Sequence, residues 1–170
     1  MYYVCSWQIK LMESKYMKPE VLQHGAYGKE VTAINRHLQL LLSPRLAALQ
    51  LGFGQHMFLL MLSRKEGMNQ KTLSEQLLLD KTTTAKAIRK LELEGYVRKE
   101  MDPADLRNHQ LFLTDAGKAV VPKIEEALAE VMEIGIEGMS AEEYGEFMRL
   151  LKIVLNNFDK HAQSIRQHTE

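Results

Sequence analysis

Apolar residues recur at intervals of three and four positions along much of the 170-residue chain, which is the spacing of one helix face. The pattern over Glu30 to Leu51 contains the pair Ser43-Pro44, so it predicts either one kinked helix or two abutting helices. A short apolar helix is predicted over Met57 to Arg64. Asn69 then offers an N-cap for the helix that follows.

The middle of the chain predicts a second capped helix and then a hairpin. Asp80 is the N-cap of a helix that Gly95 ends, as a glycine just past a C-terminus does. Two strands follow, Tyr96 to Met101 and His109 to Thr114, and the turn-forming run Asp102-Pro103-Ala104-Asp105 joins them. We therefore expect a two-stranded hairpin with a long tip.

Two long helices are predicted after the hairpin. Thr114 caps the first of them, and Ser140 with Glu143 forms a capping box for the second. The fold class is therefore mainly α with a small β-hairpin. The order helix, turn, helix and hairpin is that of a winged helix-turn-helix, in which the second helix enters the major groove of DNA.

The second helix of this unit has one apolar and one polar face. Its inward face carries Thr84, Ala87, Ile88 and Leu91, which fall at i, i+3, i+4 and i+7. The predicted DNA-contacting residues on its outward face are Thr82, Thr83, Lys86, Arg89 and Lys90. Hydroxyl groups can contact phosphates or base edges, and the cations can neutralise phosphate charge or read guanine.

The hairpin and the preceding helix supply the remaining predicted contacts. Asp105-Leu106-Arg107 places an arginine at the hairpin tip, where the negative potential of a narrow minor groove attracts it. Asp105 is expected to orient Arg107, and Asn108 beside it is a further expected contact. The start of the first helix, Asn69 with Gln70 and Lys71, is expected to hold phosphate.

Charge is distributed unevenly although Lys plus Arg and Asp plus Glu both number 22. From Met68 to Lys90 five basic residues stand against two acidic ones, whereas from Asp115 to Glu146 nine acidic residues stand against two lysines. We expect two surfaces with different roles. A basic surface alone is more often a solvated helix face, and the hairpin arginine is what favours DNA contact.

Other function classes have little support in the sequence. There is no glycine-rich phosphate loop, G-x-S-x-G or H-E-x-x-H motif, so neither an enzyme nor a cofactor is expected. No apolar run is as long as a membrane span. The histidines show no tight pair, so we expect no metal site and solvated side chains for His24, His37, His56, His109, His161 and His168. The single cysteine, Cys5, fits a reducing cytoplasm.

Five runs of sequence form a recognisable set. They are Gly67 to Leu73, Asp80 to Thr84, Leu91 to Val97, Asp102 to Arg107 and Leu113 to Gly117. The most specific are the hairpin motif D-x-R and the L-T-x-x-G that follows it. Together the five runs resemble the MarR family of bacterial and archaeal regulators. The resemblance covers about Phe53 to Lys118. Met57 departs from it, because many members have Gln at that position.

The resemblance implies a homodimer that binds double-stranded DNA at a pseudo-palindromic operator and responds to a small-molecule effector. Apolar stripes on the terminal helices agree with a dimer interface. The expected organisation is an N-terminal arm at 1–28, a dimerisation helix at 29–52, the winged domain at 53–114 and C-terminal dimerisation helices at 115–165. One branch of this family uses a cysteine near its first helix as a redox sensor. Cys5 lies well upstream of the predicted first helix, so we expect it to have no sensing role. A winged-helix module that binds protein and not DNA is the alternative function.

Overall fold

The structure is a computed structural model. It describes residues 27–102 and 105–167, with side chains for residues 27–101 and 108–162. In chain order the elements are α1 (Gly28–Ala48), α2 (Gln55–Arg64), β1 (Met68–Asn69), α3 (Gln70–Gln76), α4 (Lys81–Leu93), β2 (Val97–Asp102), β3 (Asp105–Leu113), α5 (Asp115–Ile136) and α6 (Ala141–Gln167). The chain is mostly helical with a small antiparallel sheet, as predicted. Cys5 and nearly all of the predicted arm lie outside the described residues.

α1 is one continuous helix with Pro44 inside it, and not two abutting helices. Its C-terminal part contributes Leu42 and Leu46 to the core, where both are buried. Its N-terminal part is different, because Ile34 and Leu40 are exposed, Leu40 to 69%. The helix therefore carries an apolar surface that the rest of the described unit around it does not cover.

The core of the winged unit forms where α2, α3 and α4 meet the sheet. Its fully buried side chains include Phe58, Leu59, Leu62, Leu73, Ile88, Leu91 and Leu111. His56 also lies in this core at 4% exposure, so the prediction of a solvated side chain was wrong for this histidine. Position 56 is three residues before Leu59, on the buried face of α2. His37, His109 and His161 are exposed, in line with the prediction.

The sheet has three strands in the order β1-β3-β2, where the sequence predicted a two-stranded hairpin. The additional strand is β1, which pairs Met68 with Leu111 and Asn69 with Gln110. Two residues are too few to show the alternating pattern by which a strand is found in a sequence. β1 attaches the start of α3 to the base of the wing.

The wing strands extend closer to the tip than predicted. β2 and β3 are paired from Val97 with Leu113 out to Asp102 with Asp105. The register is irregular near the tip, because Met101 pairs with His109 while its neighbour Asp102 pairs with Asp105. Three residues of β3, 106–108, therefore bulge between paired positions. Arg107 lies at the centre of this bulge in β3, and not in a loop at the tip.

The described chain divides into two compact units, one ending at Ile124 and the other beginning at Glu125. The second unit contains the end of α5 and all of α6. The predicted capping box begins α6, because Ser140 N donates to Glu143 Oε2 at 2.8 Å and Glu143 N donates to Ser140 Oγ at 3.2 Å. Within the described residues, no helix is long and apolar enough to cross a membrane.

Candidate nucleic-acid interface

Two short polar side chains start the helices of the helix-turn-helix. Asn69 Oδ1 accepts a hydrogen bond from Thr72 N at 2.8 Å and caps α3, and Asp80 Oδ1 accepts one from Thr83 N at 2.8 Å and caps α4. Both caps were predicted from the sequence. Asp80 Oδ2 also accepts from Thr83 Oγ1 at 2.6 Å, and this bond and that from Thr83 N hold the pKa of Asp80 below its usual range.

The two caps limit what these residues can offer to DNA. Thr83 Oγ1 donates its proton to Asp80, so in this arrangement its hydroxyl can only accept a further hydrogen bond. Asn69 Oδ1 accepts the capping bond, and the amide N–H groups of Asn69 can donate to a phosphate oxygen. Thr82 is exposed and makes no such side-chain bond among the described residues.

α4 has the two faces that the sequence predicted. Thr84, Ile88 and Leu91 are buried, and Ala87 is half-buried. The exposed residues are Lys81, Thr82, Thr83, Ala85, Lys86, Arg89 and Lys90, and Leu93 at the C-terminal end of the helix. The sequence-based prediction omits Lys81 and Ala85, although counting the helix face from the Asp80 cap would include both.

The cations of α4 carry unneutralised charge. Lys81, Lys86, Arg89 and Lys90 form no ion pair with any other residue of the described chain. By contrast, Lys71 on α3 lies 4.0 Å from Glu75 Oε1, a long and exposed pair. Unpaired cations on one exposed helix face are available to phosphate groups.

A cleft of about 440 Å³ lies between the start of α3 and the wing. It is lined by Asn69, Gln70, Lys71, Lys99, Asn108, His109 and Leu111. The structure thus brings together four predicted DNA contacts: Asn69, Gln70 and Lys71 from one side and Asn108 from the other. The side chains of Asp105 and Arg107 are outside the described part of the chain, so their predicted pairing stays a prediction.

The L-T-x-x-G motif joins the end of α4 to the start of α5. Thr114 Oγ1 donates to Gly95 O at 2.6 Å and accepts from Gly117 N at 3.0 Å, and Thr114 N donates to Tyr96 O at 3.0 Å. A Cβ atom on Gly117 would overlap Tyr96 O. The motif therefore uses the hydroxyl of Thr114 for two hydrogen bonds and requires glycine at position 117 for a close backbone approach.

The described residues contain no group of three or more His, Cys, Asp or Glu side chains that could hold a metal ion. Two polar side chains, His56 and Thr84, lie in the core of the unit. His56 Nδ1 and Thr84 Oγ1 are buried, and neither has a hydrogen-bond partner within the described part of the chain. Burial lowers the pKa of His56. Both residues belong to the core and face away from the exposed side of α4.

Comparisons with known proteins agree with this geometry. A model of the MarR family matches residues 54–109. The chain is 29% identical over 139 residues to YybA of Bacillus subtilis (strain 168), an uncharacterized HTH-type transcriptional regulator, covering 82% of this chain and 93% of that one.

Two solved structures resemble the fold closely. The crystal structure of a MarR transcriptional regulator from Methanosarcina mazei Go1 is 35% identical, with a TM-score of 0.74 over 78% of this chain and 96% of that one. A MarR family transcriptional regulator from Listeria monocytogenes, complexed with 26mer DNA, is 24% identical, with a TM-score of 0.75 over 82% and 93%. At this identity the second likeness bears on the fold alone.

Proposed function

Because this chain belongs to the MarR family of transcriptional regulators, we propose that it represses transcription as a homodimer on a pseudo-palindromic operator and that a small-molecule effector releases it. The relatives are transcriptional regulators and not enzymes, in agreement with the sequence-based prediction. The observation that supports DNA binding here is the exposed face of α4, whose cations are without ion pairs among the described residues.

Three parts of the winged domain, residues 53–114, contact DNA in this proposal. α4 enters the major groove with Thr82, Thr83, Lys86, Arg89 and Lys90. Arg107, oriented by Asp105, enters the adjacent minor groove. The cleft residues Asn69, Gln70, Lys71 and Asn108 contact the backbone between the two grooves. The net charge of the chain is zero, so the attraction to DNA is a local property of this surface.

The homodimer is proposed from apolar surface that neither unit covers by itself. α1 exposes Val31, Ile34 and Leu40, and α6 exposes Leu150, Leu151, Ile153, Leu155 and Phe158. Exposed apolar side chains in this number are what an interface with a second protomer would cover. The segments 29–52 and 115–165 therefore supply the dimerisation helices in our proposal. A dimer also doubles the winged domain, as a pseudo-palindromic operator requires.

Operator binding can be tested by fluorescence anisotropy with duplexes selected from a fragment library of the source genome. We expect affinity to fall steeply as salt rises, because bound cations release the counterions of phosphate. Arg89→Ala should weaken binding and reduce the salt slope by about 1. Arg64→Ala is the matched control, since Arg64 is an exposed arginine at the end of α2 without an ion pair in the described chain.

The same assay separates the two candidate functions. A winged-helix module that binds only protein would show no preference for a selected palindrome over random duplex, and this result would refute the proposal. Release of bound duplex by small aromatic or lipophilic compounds would identify the effector class. Reporter expression with and without the protein would give the sign of regulation.

A further inference from the structure

One ion pair connects the recognition helix α4 to the wing. Lys99 Nζ on β2 lies 2.6 Å from Glu92 Oε2, in the last turn of α4. The side chains are 33% and 29% exposed, whereas the Arg149–Glu146 pair within α6 is 57% and 52% exposed. Among the ion pairs of the described residues it is the one that joins these two elements. It is less exposed than the pair within α6, so water screens it less.

The pair bridges the turn that connects α4 to β2, the first strand of the wing. α4 ends at Leu93, Gly95 turns the chain with a φ of 75°, and β2 begins at Val97. Gly95 N donates to Glu92 O at 3.0 Å, so Glu92 holds the turn through its backbone as well as through its carboxylate. Lys99 in turn pairs with Leu111 on β3. The ion pair therefore ties the base of both wing strands to α4.

The position of Lys99 allows two opposite roles. Its side chain lines the cleft together with Gln70 and Asn108, close to where we place the DNA backbone. If Lys99 were a phosphate ligand, Glu92 would compete with DNA and its removal would raise affinity. If the pair holds the wing in place, removing either partner would lower affinity. The distance of 2.6 Å and the contact with the turn favour the second role.

We propose that Glu92 and Lys99 are positioning residues that set the wing against α4, so that operator affinity depends on two side chains that do not contact DNA. This inference rests on the proposed function, in which α4 and the wing bind adjacent grooves of one duplex. Two contact modules bind more tightly when their relative position is preset, because less conformational freedom is lost on binding. The wing is joined to α4 by a single turn, and the pair restricts motion about it.

The first experiment measures operator affinity for Glu92→Gln, Lys99→Gln and the double variant. We expect each single variant to weaken binding by about 3- to 10-fold and the double variant to be no weaker than either. Glu94→Gln is the matched control, because Glu94 lies two residues away and forms no ion pair in the described chain. The charge-reversed double variant, Glu92→Lys with Lys99→Glu, should restore most of the affinity.

The same variants in a background that carries both Arg107→Ala and Asn108→Ala test whether the pair acts through the wing. Once both proposed wing contacts are lost, the position of the wing no longer matters, so the effect of Glu92→Gln should shrink to less than about twofold. An unchanged effect in this background would overturn the inference. So would opposite changes, with tighter binding for Glu92→Gln and weaker binding for Lys99→Gln, because they would make Lys99 a phosphate ligand.

A measurement without DNA separates this inference from the proposed function. Hydrogen exchange in the free protein should become about 3- to 10-fold faster at the wing amides in Glu92→Gln, and stay unchanged at α2 and in Glu94→Gln. Unchanged wing exchange would overturn the positioning role even if the protein binds its operator. Wild-type protein without operator preference, combined with faster wing exchange in Glu92→Gln, would refute the proposed function and leave the link between α4 and the wing intact.

Discussion

Gly117, in the first turn of α5, is the position where a single added methyl group should do most damage. A Cβ atom there would overlap Tyr96 O and lie 3.1 Å from Tyr96 C and 3.3 Å from Leu113 Cδ2. Tyr96 cannot easily move away. Its carbonyl accepts from Thr114 N, its N–H donates to Leu91 O at 2.9 Å, and its hydroxyl donates to Leu49 O at 2.9 Å.

The magnitude follows from three opposing contributions to the free energy of unfolding. Replacing glycine by alanine inside a helix normally stabilises by about 1 kcal/mol. Forcing an extra carbon into a packed site costs about 1–3 kcal/mol, and more where the obstacle is backbone. Displacing Tyr96 O would also weaken its bond from Thr114 N, by about 1 kcal/mol. Gly117→Ala should therefore destabilise by about 2–3 kcal/mol, which lowers Tm by roughly 4–12 °C.

Differential scanning calorimetry at one fixed protein concentration is the assay. Gly135→Ala is the control, because Gly135 lies in the same helix and a Cβ there meets nothing within 4 Å among the described residues of one protomer. That variant should gain up to about 1 kcal/mol from helix propensity. The two identical substitutions are thus expected to move Tm in opposite directions. A Tm for Gly117→Ala equal to or above wild type would refute the close approach between α5 and Tyr96.

Four further changes are predicted. Thr84→Val removes a buried hydroxyl without a partner among the described residues and should stabilise by about 1–2 kcal/mol in thermal unfolding; unchanged or lower stability would contradict this. His56→Leu should flatten the pH dependence of stability: burial lowers the pKa of His56, so the unfolded state binds more protons and wild-type stability rises with pH through the range where histidine titrates. Asp80→Ala should lower Tm near neutral pH, and the difference from wild type should vanish as pH falls through the lowered pKa of Asp80; a difference that persists in acid would count against the cap. Leu40→Glu should yield a folded monomer by light scattering, and a variant that remains dimeric would exclude Leu40 from the interface.

Features that depend on neighbouring residues were predictable. The caps at Asn69, Asp80 and Ser140 all formed as expected, because each side chain bonds to a backbone N–H three residues ahead. Gly95 ends α4 in the left-handed conformation that glycine adopts readily. The exposed set on α4 followed from helical periodicity once its start at Asp80 was known. These interactions need no knowledge of the rest of the chain.

Features that depend on distant residues were not predictable in this way. β1 forms only because Met68 pairs with Leu111, which lies 43 positions later in the chain (111 − 68 = 43). His56 is buried because other segments pack on α2. The sequence around His56 does not show which face of α2 those segments cover. The bulge that carries Arg107 depends on the register between β2 and β3. The D-x-R motif in the sequence indicated Arg107, but it did not indicate the backbone conformation around that residue.

By itself, then, the amino-acid sequence determined most of the helical segments, the caps at which three of them begin, and most of the cations that α4 exposes. Tertiary structure alone decided that Gly117 must have no side chain, that Lys99 meets Glu92, and that the start of α3 and the wing share one cleft. The physical reason is the range of the interactions. Helix capping and periodicity act within about one turn of the chain, whereas close backbone contacts, ion pairs between elements and clefts exist only once separate segments have packed.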